Sequence, residues 1–223
     1  MAKNLEERVN ELEKEVARLK GKAALKLSKK MEIGDTFTLA GLEWKILDIT
    51  EKGYMCHAVT HYGKDRVFDS DSNDWKNSSL RKELNTILLE TIEAEVGEGN
   101  IIPFERDLLS MDGQTEYDTC EDKVSLLNVD EYRKYRKLIP NSDKYWWLLT
   151  PWSTPCNGYE KLLTVVCPSG NINNNYCNLS RGVRPICITD SQSRHQAEIR
   201  RNDTDRCMTF RMAVNTKELM GNG

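Results

Sequence analysis

Seven cysteines and three histidines are the residues of this chain best equipped for metal or redox chemistry. No two cysteines have the C-x-x-C spacing of a zinc or dithiol site, and an odd count does not close into a set of disulfides. His57 and His61 stand four apart, on a strand followed by a turn rather than on one helical face, so ordinary packing is expected of them. Reduced, mostly buried thiols are expected in a cytoplasm. A disulfide within Cys156, Cys167, Cys177 and Cys187 stays open should the protein be exported. Asp69, Asp71 and Asp74 are calcium-ligand types, but an EF-hand loop needs fixed oxygen spacing, a central Gly and a terminal Glu. Residues 68–77 have neither that Gly nor that Glu and read as a loop leading into a helix. No nucleophile elbow, phosphate loop or paired-carboxylate motif occurs. The expectation is a protein with no catalytic residue, no metal and no cofactor.

The chemistry that remains is recognition. Residues 170–180 are rich in asparagine, five of eleven, and an amide side chain both donates and accepts hydrogen bonds. Asn171, Asn173, Asn174, Asn175 and Asn178 surround Tyr176, and Trp152 lies upstream. Aromatic residues usually carry most of the energy at a binding surface. Tyr176 and Trp152 are therefore the expected anchors, with the five asparagines setting specificity around them. Ile172 and Cys177 are expected to point inward. Amide and aromatic groups suit a glycan and a protein patch equally.

Such a surface needs a frame. Branched and aromatic residues at 145–149, 162–167 and 183–188 read as short strands around a loop at 170–180. Three earlier strands are expected at 36–40, 43–49 and 53–59, with Trp44, Ile46 and Leu47 beginning the core. Trp44, Trp146, Trp147 and Arg184 belong to that frame. Side chains alternate across a strand, so at least one member of the Trp146-Trp147 doublet can reach the surface. A helix capped by Ser78 or Ser79 places Leu80, Leu84, Ile87, Leu88, Ile92 and Val96 on one face, and Gly97 and Gly99 stop it. A second helix starts at Asn128, with Glu131 completing a capping box, and runs to about Leu138 before Pro140.

At the N-terminus Leu5, Val9, Leu12, Val16, Leu19 and Ala23 alternate by four and three, the seam of a coiled coil. Arg8 with Glu13 and Glu15 with Lys20 pair with opposite sign in a parallel arrangement. The run from Arg8 to Glu13 matches a trimer-favouring pattern, so a homo-oligomer through residues 4–23 is expected, a trimer before a dimer. The organisation is then a coiled-coil helix over 1–27, a domain over 28–188 and a polar tail over 189–223. Net charge is −3 and the isoelectric point about 5.8, which argues against a nucleic-acid partner. No apolar run approaches the roughly eighteen residues of a membrane span, and no secretory leader is expected. The protein is expected in the cytoplasm as synthesised, or on a virion or surface if other machinery carries it there.

Several segments together resemble one family. They are Trp75-Lys76-Asn77-Ser78-Ser79-Leu80-Arg81 with Leu84-Asn85, then Val124-Ser125-Leu126-Leu127 with Glu131-Tyr132. Trp146-Trp147-Leu148-Leu149-Thr150-Pro151 and Gly182-Val183-Arg184-Pro185 complete the set. This order is similar to an uncharacterised bacterial and phage domain family with a C-type-lectin-like fold, and the likeness covers about residues 33–188. It implies an α+β domain with a small twisted antiparallel sheet, two helices and a long loop region presenting a ligand. The family includes variable proteins of diversity-generating retroelements, and Asn171, Asn173, Asn174, Asn175, Tyr176 and Asn178 match the place where their variation sits. A structural component of a phage tail or virion is the alternative. The formylglycine-generating oxidases share a lectin-like fold, and Tyr176-Cys177 resembles their active-site thiol. Their partner cysteine belongs five residues earlier, where this chain has Ile172.

Overall fold

The three early strands form an antiparallel meander: β1 (Thr36–Leu39), β2 (Leu42–Thr50) and β3 (Gly53–Ala58). The computed structural model describes residues 31–190, so the expected coiled coil and nearly all of the expected tail lie outside the described residues. A register shift between Ile46 and Asp48 marks a bulge in β2 at Leu47. A bulge adds a residue to one strand and breaks alternation. Ile46 and Leu47 are accordingly both buried, while Ile49 emerges. β3 is buried along its whole length because β11 (Ile186–Thr189) covers its second edge. Gly53 makes that approach possible: a Cβ there would lie 2.1 Å from Thr189 O. On the far edge of β11, β7 (Val124–Ser125) and β4 (Ile101–Ile102) pair end to end.

The first long helix, α1, runs as Ser79–Glu83, a π-helical stretch Leu84–Leu88, and Leu89–Val96. Ser78 caps it by accepting the Arg81 N–H. Leu80, Leu84, Leu88, Ile92 and Val96 are buried, whereas Ile87, expected on the same face, is 60% exposed. A four-residue repeat drifts by about 40° per step on a 3.6-residue helix. The wider π turn absorbs the drift and leaves Ile87 outside the stripe. The second helix, α2 (Val129–Tyr135), has the expected capping box between Asn128 and Glu131. It ends before Leu138, because Arg136 N donates to Arg133 O and Leu138 N to Tyr135 O, tightening the final turn.

A second sheet contains β8 (Trp146–Pro151), β9 (Leu162–Val166) and β10 (Ile172–Tyr176), in the order β10-β9-β8. Trp146, Leu148 and Val166 join the core with Tyr132 and Tyr135 of α2 and with Ile186 and Ile188 of β11. On the opposite face Trp147 meets Phe68 edge-on, and Phe68 packs against Trp75. Both members of the doublet are therefore buried, at 1% and 0% exposure, and neither reaches the surface. Layers on both sides of β8 are the reason. Arg184 is a frame residue: it donates to Ala58 O and Pro140 O, and its guanidinium lies 4.9 Å from the Trp146 ring centre. β5 (Phe104–Asp107) and β6 (Thr119–Asp122) form a ribbon, anchored where Arg106 grips both carboxylate oxygens of Glu131. The architecture is α+β with antiparallel sheets. Among the described residues no cysteine is assigned to a disulfide.

Candidate functional site

The asparagine stretch expected as a loop is largely a strand. Its residues 172–176 pair with β9 throughout, Asn173 opposite Val165, Asn174 opposite Thr164 and Tyr176 opposite Leu162. Asparagine has low strand propensity, but a buried partner strand overrides it. The hairpin is set by Gly170, at φ +86°, whose N–H donates to Cys167 O. Any side chain is strained at this φ, and a Cβ would also displace the Arg136 guanidinium, which would lie 2.0 Å from it. Tyr132 of α2 donates its hydroxyl to Gly170 O at 2.7 Å, which ties the hairpin to the helix.

The ladder decides which backbone groups remain. Cys167 N donates to Asn171 O and Cys177 N to Lys161 O. Bonding alternates along an antiparallel pair, so the main-chain groups of Asn173 and Asn175 also face β9, and those of Ile172, Asn174 and Tyr176 face the open edge. Asn173 Oδ1 accepts the Asn174 N–H there. Asn175 Oδ1 accepts from Arg181, whose guanidinium lies over the Tyr145 ring. The side chains of Asn171, Asn174 and Asn178 make no hydrogen bond among the described residues. Asn171, Asn173 and Asn178 are exposed, Asn174 and Asn175 half-buried. Ile172 packs against the core and Cys177 is fully buried, and burial pushes the Cys177 thiol up.

Tyr176 is 58% exposed, opposite Leu162. On the other side of Leu162, the half-buried Trp152 donates its backbone N–H to Leu162 O at 2.9 Å. The two expected anchors thus flank one residue of β9, with Asn174 two residues before Tyr176 on β10. Asn171 lies at the far end of β10 beside the Gly170 turn. Asn178 follows the strand in a turn closed by Leu179 N and Tyr176 O.

Two residues that the sequence did not single out hold the loop behind Trp152. Asn73 is fully buried, and its Nδ2 reaches Ser153 O, Tyr159 O and Leu162 O at 2.9, 3.0 and 2.7 Å. Its Oδ1 accepts from the Tyr117 hydroxyl. Burial, with Asp74, Glu116 and Glu160 nearby, pushes Tyr117 up to about 12. From the other side Asp112 accepts from Ser110, Ser153 and Asn157, and these bonds hold its carboxyl down at about 2. Asn73 sits in a run of Asp, Ser and Asn in which nothing local marks it as buried.

The other sequence candidates serve structure. Asp69 accepts backbone N–H groups of Asp71 and Ser79, and Asp74 caps the short helical turn Trp75–Asn77. His61 shares a 2.6 Å hydrogen bond with Ser142, while His57 lies buried beside Trp146. Among the described residues no three His, Cys, Asp or Glu side chains are grouped to hold a metal ion. A groove of about 500 Å³ beside α1 is lined by Arg81, Asn85 and Lys123, but Arg81 is paired with Asp122 and Lys123 with Glu93. Among the described residues no helix is long and apolar enough to cross a membrane. The chain matches no family model, no curated protein and no solved structure with which it was compared.

Proposed function

We propose that this chain is a non-catalytic recognition protein whose ligand surface is β10 together with Trp152. The observation that carries this reading is the pair of aromatic residues on either side of Leu162, one 58% exposed and one half-buried, beside asparagines with free amides. Rings supply contact area at low entropy cost and amides supply adaptable hydrogen bonds. Backbone pairing to β9 and the clamps of Asn73 and Asp112 hold the surface in place before a ligand arrives, which lowers the ordering cost of binding.

In this reading the frame is C-type-lectin-like, in keeping with two helices and small antiparallel sheets, and the chain is a variable protein of the diversity-generating type. Residues 1–27 assemble it into a parallel homo-oligomer, a trimer before a dimer. The ligand is a protein or a glycan met on a virion or cell surface. Oxidase chemistry finds little support, because Cys177 is buried and Ile172 stands where a partner thiol would be needed. A glycan and cell-surface binding screen on the full-length chain tests the proposal. It expects a ligand whose binding is lost on Tyr176→Ala with unchanged melting. Ligands that bind Tyr176→Ala and Trp152→Ala as well as wild type would refute it.

A further inference from the structure

We propose that the surface around Leu162 docks a lysine- or arginine-bearing segment of a partner protein. This inference rests on the reading of β10 and Trp152 as the ligand surface and names the chemistry of its occupant. The first support is the kind of apolar surface on offer. Tyr176 is 58% and Tyr159 51% exposed, and both lie next to Leu162: Tyr176 faces it across the ladder, and Tyr159 O accepts the Leu162 N–H. With the half-buried Trp152 they present three ring systems at one end of the sheet. Aromatic faces attract ammonium and guanidinium groups.

The second support is the charge around those rings. Asp71 lies within 3.8 Å of Lys161, the residue before Leu162, and its side chain is 80% exposed. Glu160 follows Tyr159 and is tied by its carbonyl to Asn73 N. Glu116 accepts the Cys156 N–H at 3.4 Å, and Asp74 lies one residue beyond Asn73. Asp112 stays ionised beneath the same loop, since three donors hold its carboxylate. Against these five acids stands Lys161, already beside Asp71. Rings set among carboxylates complement a cation that also brings apolar length, which is what a lysine or arginine side chain is. A second copy of this face would meet like charge. A neutral glycan would leave the acids unanswered, and an anionic one would be repelled.

The test uses the full-length chain, an array of short peptides graded in net charge, and panels of neutral and sialylated glycans. Three proteins are compared: wild type, Tyr176→Ala, and the triple variant Asp71→Asn, Glu116→Gln, Glu160→Gln, which keeps an oxygen to accept from the Ser70 hydroxyl and from the Cys156 N–H. Capture is expected to rise with peptide positive charge and weaken as salt is added. It should fall roughly tenfold in the triple variant and vanish in Tyr176→Ala, with melting unchanged in both. Failure of every basic peptide to bind, or equal capture by wild type and the triple variant, overturns the proposal. A neutral or acidic ligand lost in Tyr176→Ala but kept in the triple variant overturns the basic partner and leaves the surface standing. Basic peptides captured as well by Tyr176→Ala as by wild type overturn both.

Discussion

Asn173 Oδ1 accepts the backbone N–H of Asn174 at 2.8 Å, on the edge of β10 that no strand covers among the described residues. An open edge offers unpaired groups to any passing strand, and side chains that occupy them blunt it. The asparagines of β10 are thus not equivalent. Asn173 guards the edge and Asn175 holds Arg181, while Asn171, Asn174 and Asn178 leave their amides free.

Replacing Asn171, Asn174 and Asn178 together by serine should change stability by less than about 0.5 kcal/mol per site, as surface substitutions do. Asn173→Ala and Asn175→Ala should each cost about 1 kcal/mol for the hydrogen bond lost. Asn173→Ala should also self-associate more than wild type. Urea denaturation and light scattering on the triple variant and on a single variant at each of the five positions check this. Equal costs at all five positions would contradict it.

Asn73→Ala should be among the most damaging substitutions of a polar residue. It leaves the Ser153 carbonyl without its donor and takes one of two partners from the Tyr159 and Leu162 carbonyls, where one buried unsatisfied group alone costs about 1–3 kcal/mol. Cleavage by protease within residues 153–162 should accelerate. A variant that melts with wild type would remove Asn73 from its place as organiser of the loop.

Trp147→Ala should cost about 3–5 kcal/mol, the usual range for deleting a buried ring. Trp147 is fully buried against Phe68, and its indole N–H donates to Arg66 O at 2.9 Å. A melting temperature within a degree or two of wild type would reverse the assignment of frame and surface.

His57 sets a pH dependence. Its ring is fully buried; that burial, then the Arg184 guanidinium, His61 and Lys45, hold its pKa well below the ordinary value of 6.5. Neither ring nitrogen has a hydrogen-bond partner among the described residues. The folded chain keeps His57 neutral while the unfolded chain protonates it below pH 6.5. Stability is therefore fully present above that pH and falls as pH drops below it, by up to about 1.4 kcal/mol per pH unit for this one group. Asp112 adds its own loss only in the lower window between 3.8 and about 2. His57→Phe should flatten the profile below pH 6.5. A profile identical in wild type and variant would show that His57 is not the group responsible.

Much of the frame could be read from local pattern. The Asn128–Glu131 capping box, the Ser78 cap and the turns around β2 are written in neighbouring residues, and the structure contains them. What pattern missed depends on distant partners. Ile87 departs from its stripe because a π turn sits at Leu84–Leu88, and Trp146 and Trp147 are both covered because separate layers close on the two faces of β8. Residues 172–176 look like loop because asparagine dislikes strands, and only β9 makes them one. Tyr176 and Trp152 were legible as aromatic residues near the asparagines, but their placement on either side of Leu162 arises from sheet register. Asn73 was hidden for the same reason, since its partners lie 44 or more residues away in the chain.

The most direct measurement is a calorimetric titration of the first ligand found, against wild type and the Trp152→Ala, Tyr176→Ala double variant. Central aromatic anchors each contribute about 2 kcal/mol or more, and 1.4 kcal/mol is tenfold in affinity. The account predicts that affinity falls by at least about 100-fold while the fold and its melting temperature are retained. Wild-type affinity in the folded double variant would contradict it.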